Sequence, residues 1–190
     1  MRVGFVIGII VLTAAALTTP ALPASAPSTP PAPPPDPTIA RLQRLSGQAF
    51  DVAFMQALIP VDEETVEMAM TATLYADHAE LLRWNQVVVE RKNDQVRKLL
   101  AWLQDAGTGP AERRAGVATA SVKKLRTLRG PALERTYLSL MTTQLNQAVS
   151  LARLASSKGS RPEVRDFATG IVRTESQDSA MLQGWLKQWK

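Results

Sequence analysis

The chain repeats itself. Residues 41–105 align without a gap on residues 124–188, at an offset of 83. Leu42-x-x-Leu45-x-Gly47 returns as Leu125-x-x-Leu128-x-Gly130, Phe54 meets Tyr137, and Met68-Ala69 meets Leu151-Ala152. Trp84 meets Phe167, Val88-Val89 meets Ile171-Val172, and Trp102-Leu103 meets Trp185-Leu186. Only 12 of the 65 aligned positions are identical, so identity alone decides little. The weight comes from apolar, capping and turn positions that agree in one register. The fold must then be two copies of one unit that bury their apolar faces on each other.

Each copy reads as two helices. In the first helix Phe50, Phe54, Ala57-Leu58, Val61, Thr65, Met68-Ala69 and Ala72 recur at steps of three and four, one apolar stripe of an amphipathic helix. Pro60 lies inside this stripe and predicts a kink or local adjustment. The helix should end near residues 74–76. Asp77-x-x-Glu80 then has capping-box spacing, and Ser160-x-x-Glu163 stands at the equivalent place with Pro162 in the first turn. Leu81, Trp84, Val88, Val96, Leu99 and Leu103 mark the second helix, and Val164, Phe167, Ile171, Leu182 and Leu186 its counterpart. Nothing reads as a strand or hairpin of strands. The expected fold is all-α: an antiparallel four-helix bundle built from two pseudo-symmetric helical hairpins. The bundle occupies 39–190, with repeat one at 41–105, a connector at 106–123 and repeat two at 124–188.

The residues ahead of it read differently. Met1-Arg2, an uncharged apolar run over Val3–Leu17 and Ala24-Ser25-Ala26 have the form of a secretory signal at 1–26. Pro27 is a poor residue to follow a cut, so cleavage after Ala21 is the alternative, and an uncleaved N-terminal anchor is the rival reading. Nine of the 13 prolines fall within 20–37, which makes 27–38 an extended spacer. The expected location is outside the cytoplasm, periplasmic or extracellular.

Composition removes several function classes. The chain has no Cys and one His, which excludes disulfides, thiolate sites and multi-His metal centres. Phosphate-binding glycine loops, G-x-S-x-G and H-E-x-x-H are absent. The net charge of +5 is not spread evenly. Arg113, Arg114, Lys123, Lys124, Arg126 and Arg129, set against Glu112 alone, lie in residues 106–130. The rest of the chain after the signal holds 15 basic and 16 acidic residues, so the bundle is near neutral and carries one basic strap. A solvated face explains the strap simply. The alternative is a contact for an unknown protein or an anionic component of the envelope, including peripheral contact with a membrane. Nucleic acid is not an expected partner, because the chain is exported and no aromatic residue interleaves with the basic ones.

The stretch from Leu42 to Ala69 resembles the DUF-305 family, through Phe50-Asp51-x-x-Phe54-Met55, Leu58-Ile59-Pro60-Val61-Asp62 and Met68-Ala69. The resemblance covers both repeats and implies an exported, ferritin-like four-helix bundle. Family members carry Met-Ile-Pro-His-His, and some are implicated in binding copper through those histidines and nearby methionines. Here the His-His pair falls on Val61-Asp62 and on Gln144-Leu145, so all four imidazoles are replaced. A Gln and a Glu typical of the second helix fall on Lys92 and Gln95, and on Glu175 and Asp178. The resemblance implies the fold and a degraded metal site.

Lys92 and Glu175 are repeat mates, and helical spacing turns both inward. A buried ammonium is costly unless paired. Lys92 is therefore expected either to pair with Glu175, Asp178 or Asp62 in place of a cation, or to snorkel to solvent with its stem on the apolar face. Met55, Met68 and Asp62 are the residual ligands if a metal is held, with copper the first candidate; Met70 and Met141 also sit on or near the stripes. Asp62, Glu63, Glu64 and Glu67 form an acidic patch that reads as a solvated face or as a weak cation site. His78 reads as a surface residue in a turn, and Trp84, Trp102, Trp185 and Trp189 as core anchors, Trp189 being the one that could be partly exposed. The function expected from these residues is that of an exported, non-enzymatic binding or structural module with no cofactor. The alternatives are a periplasmic metal binder and an enzyme using Glu175 or Asp178.

Overall fold

The computed structural model describes residues 36–111 and 118–189, and every regular element among them is helical. The signal, most of the spacer, Arg113 and Arg114 lie outside the described residues. The helices are α1 (Pro37–Gln43), α2 (Gly47–Thr73), α3 (Ala79–Asp105), α4 (Ala120–Arg126), α5 (Gly130–Lys158) and α6 (Pro162–Gln188).

Two of these were not expected. α1 begins where the Asp36 carboxylate accepts from the Thr38 and Ile39 N–H groups at 2.7 and 3.3 Å, with Pro37 in its first turn. α4 begins where Thr119 Oγ1 accepts from the Val122 N–H at 3.3 Å. Asp36 and Thr119 are repeat mates, as are Ile39 and Val122, and Leu42 and Leu125. Each short helix buries its apolar side against α2 and α5. The repeating unit is thus one short helix followed by a long hairpin. Part of the stretch read as a connector is a docked helix, with Lys123, Lys124 and Arg126 on its exposed face and Arg129 exposed just beyond it. Gly47 and Gly130, again mates, have φ of 60° and 55° where each short helix turns into a long one. A residue with a side chain would be strained there.

α2 runs unbroken through Pro60, which sits on its exposed side. α2 packs closely on α3, α5 on α6, and α2 on α5, with neighbours antiparallel. α3 and α6 are bridged by long side chains instead, among them Trp102 edge-on to Phe167 with ring centroids 5.4 Å apart. The apolar core falls into two clusters. One contains Phe50, Phe54, Leu58, Leu99, Leu103, Leu151, Val164 and Ile171. The other contains Met68, Leu81, Val88, Leu133, Tyr137, Met141 and Leu182. On three long helices the gap between the two clusters carries buried polar residues, Asp62 and Thr65 on α2, Lys92 and Gln95 on α3, and Glu175 and Ser179 on α6, while on α5 Gln144 lies beside it, between Met141 and Leu145. No described helix is long and apolar enough to cross a membrane.

Candidate functional site

The polar layer between the two apolar clusters is built from the positions singled out in the sequence. Asp62, Lys92 and Glu175 are each 0% exposed. Asp62 comes from the middle of α2, two residues past Pro60. Lys92 follows Val88 by one turn of α3, and Glu175 follows Ile171 by one turn of α6, so both extend an apolar stripe inward. Lys92 Nζ donates to Asp62 Oδ1 at 2.6 Å and to Glu175 Oε1. One ammonium thus ties three helices together. Of the three carboxylates expected as partners it meets two. Asp178 pairs with Arg91, one residue from Lys92, in a second bridge from α3 to α6.

The electrostatics of this triad are uneven, with two carboxylates against one ammonium. Asp62 Oδ2 and Glu175 Oε2 are buried without a hydrogen-bond partner among the described residues. Burial raises the Asp62 carboxyl to about 7, helped by the Glu175 charge and opposed by Lys92. Burial alone would lower Lys92, but Asp62 and Glu175 outweigh it and its pKa rises above the ordinary value. Asp62 does not belong to a solvated acidic face, because its place on the stripe turns it into the core while Glu63, Glu64 and Glu67 stay partly exposed.

The other residues of the degraded positions lie nearby. Gln144 Nε2 donates to the Val61 carbonyl at 3.1 Å and, more weakly, to Glu64 Oε2 at 3.4 Å. Val61 and Leu145 contribute only apolar side chains to the core. Val61 and Gln144 border a cavity of about 400 Å³ between α1, α2 and α5. Met55 and Met68 belong to different apolar clusters. Thirteen residues of helix separate them by about 20 Å, so they cannot share a metal with each other. The donors that do converge are two hard carboxylates around a cation the chain itself supplies, with no imidazole or thioether among them. That set does not fit copper. Among the described residues no three His, Asp or Glu side chains are grouped to hold a metal ion.

Sequence reasoning missed a second pair of sites, at the two ends of the bundle. The Glu134 carboxylate, 2% exposed, crosses from hairpin two to the turn of hairpin one. It accepts from the Asp77 and His78 N–H groups at 2.8 and 2.9 Å and lies 2.6 Å from His78 Nδ1. Burial would raise its pKa, but these donors lower it below the usual value. Its mate Asp51 crosses the other way. Asp51 accepts from the Ser160 and Arg161 N–H groups at 2.9 and 3.2 Å and from Ser160 Oγ at 2.5 Å. The expected local capping boxes are therefore replaced: His78 and Arg161 stand at the N-caps without a side-chain bond to their own helices. Trp189 stacks on His78 with centroids 3.8 Å apart, and Trp185 stacks on Trp189. Tyr137 Oη, fully buried, donates to Asn85 Oδ1 at 2.5 Å.

A family model described as "Domain of unknown function (DUF305)" matches the chain twice, over residues 30–103 and 104–186. The chain belongs to the DUF305 family. Among solved structures it is similar to a DUF305 protein of Streptomyces coelicolor, named as a secreted protein, at 22% identity and a TM-score of 0.66, covering 73% of this chain and 91% of the other. A DUF305 fragment from Deinococcus radiodurans matches at 22% identity and a TM-score of 0.65, covering 82% and 99%. CopM in its Cu(I)-bound form matches at 21% identity and a TM-score of 0.65, covering 73% and 96%. At these identities the likeness shows the fold. No curated protein matches the chain.

Proposed function

We propose that this protein is an exported, non-enzymatic binding or structural module of the cell envelope, a DUF305 bundle whose central cation is the ammonium of Lys92. The observation that carries this reading is the sealed contact of Lys92 with Asp62 and Glu175. A divalent ion entering this layer meets a fixed positive charge, and removing Lys92 from its partners would leave it buried and unpaired. Acid–base chemistry has little support, since Glu175 is closed off from solvent and Asp178 is committed to Arg91. The N-terminal signal pattern supports export, as does a relative whose name describes it as secreted.

A metal-binding role is the second reading, favoured by the likeness to CopM in a copper-bound form. Equilibrium dialysis against Cu(I), Cu(II), Zn²⁺ and Ca²⁺ separates the two. The expected result is no submillimolar binding by the native chain, and a gain for hard cations in Lys92→Ala, where Asp62 and Glu175 lose their partner. Tight binding by the native chain that disappears in Met55→Leu, Met68→Leu or Asp62→Asn overturns the proposal.

A further inference from the structure

Hairpin one carries an apolar surface that hairpin two lacks. Met70 and Leu74, near the end of α2, are 58% and 72% exposed. With Leu82 and Val89 of α3 they border a groove of about 560 Å³. The duplication supplies its own control. At the same places on hairpin two, Met70 is replaced by Arg153, Leu74 by Ser157 and Leu82 by Arg165. The helical frame is the same, so nothing in the fold requires large apolar side chains here, and an exposed apolar patch of this kind marks a contact surface.

At the turn end of the groove basic groups outnumber acidic ones. Arg83 lines the groove. The Arg129 guanidinium lies 3.7 Å above the ring of Tyr75, the residue after Leu74. α4 packs Val122 and Leu125 into the cluster that holds Met68, Ala69 and Ala72, the inner side of this same stretch of α2, and leaves Lys123, Lys124 and Arg126 exposed. In the α2–α3 turn and the start of α3 the acids are Asp77 and Glu80, and farther along the groove Glu67 precedes Met70 by one turn and Glu90 follows Val89.

We propose that this end of hairpin one docks on an anionic lipid bilayer. Met70 and Leu74 enter at headgroup level, and Arg83 in the groove and Arg129 beside Tyr75 meet the lipid phosphates. Apolar side chains beside clustered Arg and Lys are what such a surface selects, each basic residue strengthening binding about fivefold near an anionic membrane. The inference rests on the exported reading, because export is what brings the chain to the bilayers of the envelope.

The absence of cysteine allows single labels on the full chain. Leu74→Cys and Ser157→Cys, repeat mates, each carry an environment-sensitive fluorophore. They are mixed with vesicles of phosphatidylglycerol and phosphatidylcholine, or of phosphatidylcholine alone. The expected result is a blue shift at position 74 with the anionic vesicles only, reversed by molar salt, and none at position 157. Arg83→Gln with Arg129→Gln should weaken the partition roughly 25-fold. No shift at position 74 overturns the proposal. Equal shifts at both positions also overturn it, because the contact then belongs to another segment. A shift at position 74 that grows with protein concentration without vesicles overturns it in favour of a second copy of the chain. None of these failures touches the dialysis test of Lys92.

Discussion

The ends of the bundle and its middle treat the duplication in opposite ways. At the ends the two repeats do the same thing. Asp51 and Glu134, mates at the offset of 83, each reach across to the other hairpin and accept from two backbone N–H groups of its turn. In the middle the mates differ: Lys92 opposes Glu175, and Asp62 has Leu145 as its mate. The difference follows from what each place needs. A helix start presents the same unpaired donors in both copies, so each needs an acceptor. A buried polar layer on a two-fold axis needs only a near balance of charge, and opposite charges on mates give that where identical ones would repel. The ends are held by backbone geometry and the middle by charge.

Breaking the middle should cost most. Lys92→Met leaves two carboxylates facing each other without a cation, and a loss of about 3–5 kcal/mol in urea unfolding is expected. Adding Asp62→Leu and Glu175→Leu to it should return stability to near or above the native level, since a well-packed apolar layer can replace a buried ion cluster. If Lys92→Met alone cost under about 1 kcal/mol, the middle would not be held by charge.

The ends should respond less, and alike. Asp51→Ala and Glu134→Ala should each cost about 1–3 kcal/mol, because the N–H groups at the start of a helix lose a charged acceptor. Hydrogen exchange carries the sharper signature. Asp51→Ala should free the amides of Ser160 and Arg161 in the other hairpin, and Glu134→Ala those of Asp77 and His78. Exchange that rose only within the mutated hairpin would contradict the crossing.

Acidity separates the two regions again. Asp62 is raised to about 7 in the folded chain, so between its unfolded value and that point the folded state holds the extra proton. Its contribution to stability should therefore be full below about pH 4 and fall as pH rises towards 7. Glu134 is lowered, so its contribution is present above its unfolded value and fades as pH falls into the acid range. Asp62→Asn should flatten the first slope and leave the second, as read by Tm across pH. The smallest effect is expected from the exposed Arg97–Asp94 pair, where Asp94→Asn should move stability by no more than about 0.5 kcal/mol.

Much of this was legible beforehand. The repeat register and the apolar stripes show the four long helices, and the spacing on α3 and α6 shows Lys92 and Glu175 turning inward. What spacing does not show is which carboxylate a long side chain selects. Asp178 went to Arg91, which lies beside Lys92 but points along the α3–α6 seam. The crossed acceptors were hidden for a different reason. A capping box is a local signal, and Asp77 and Ser160 supplied it, whereas Asp51 is more than 100 residues from the turn it holds. The available clue was an acid at the same place in both apolar stripes. The short helices are not legible by periodicity because seven residues carry too little of it, although Asp36 with Ile39 and Leu42 has the same pattern as Thr119 with Val122 and Leu125.

Because each turn is held by an acid from the opposite hairpin, neither hairpin is complete by itself. Cutting the chain between α3 and α4 would give two halves whose turns each lack an acceptor until they meet. Two whole chains could also exchange hairpins through that connection and satisfy every one of these bonds. The bonds that close one chain would therefore also close a domain-swapped dimer, with each acid serving the turn of its partner's hairpin.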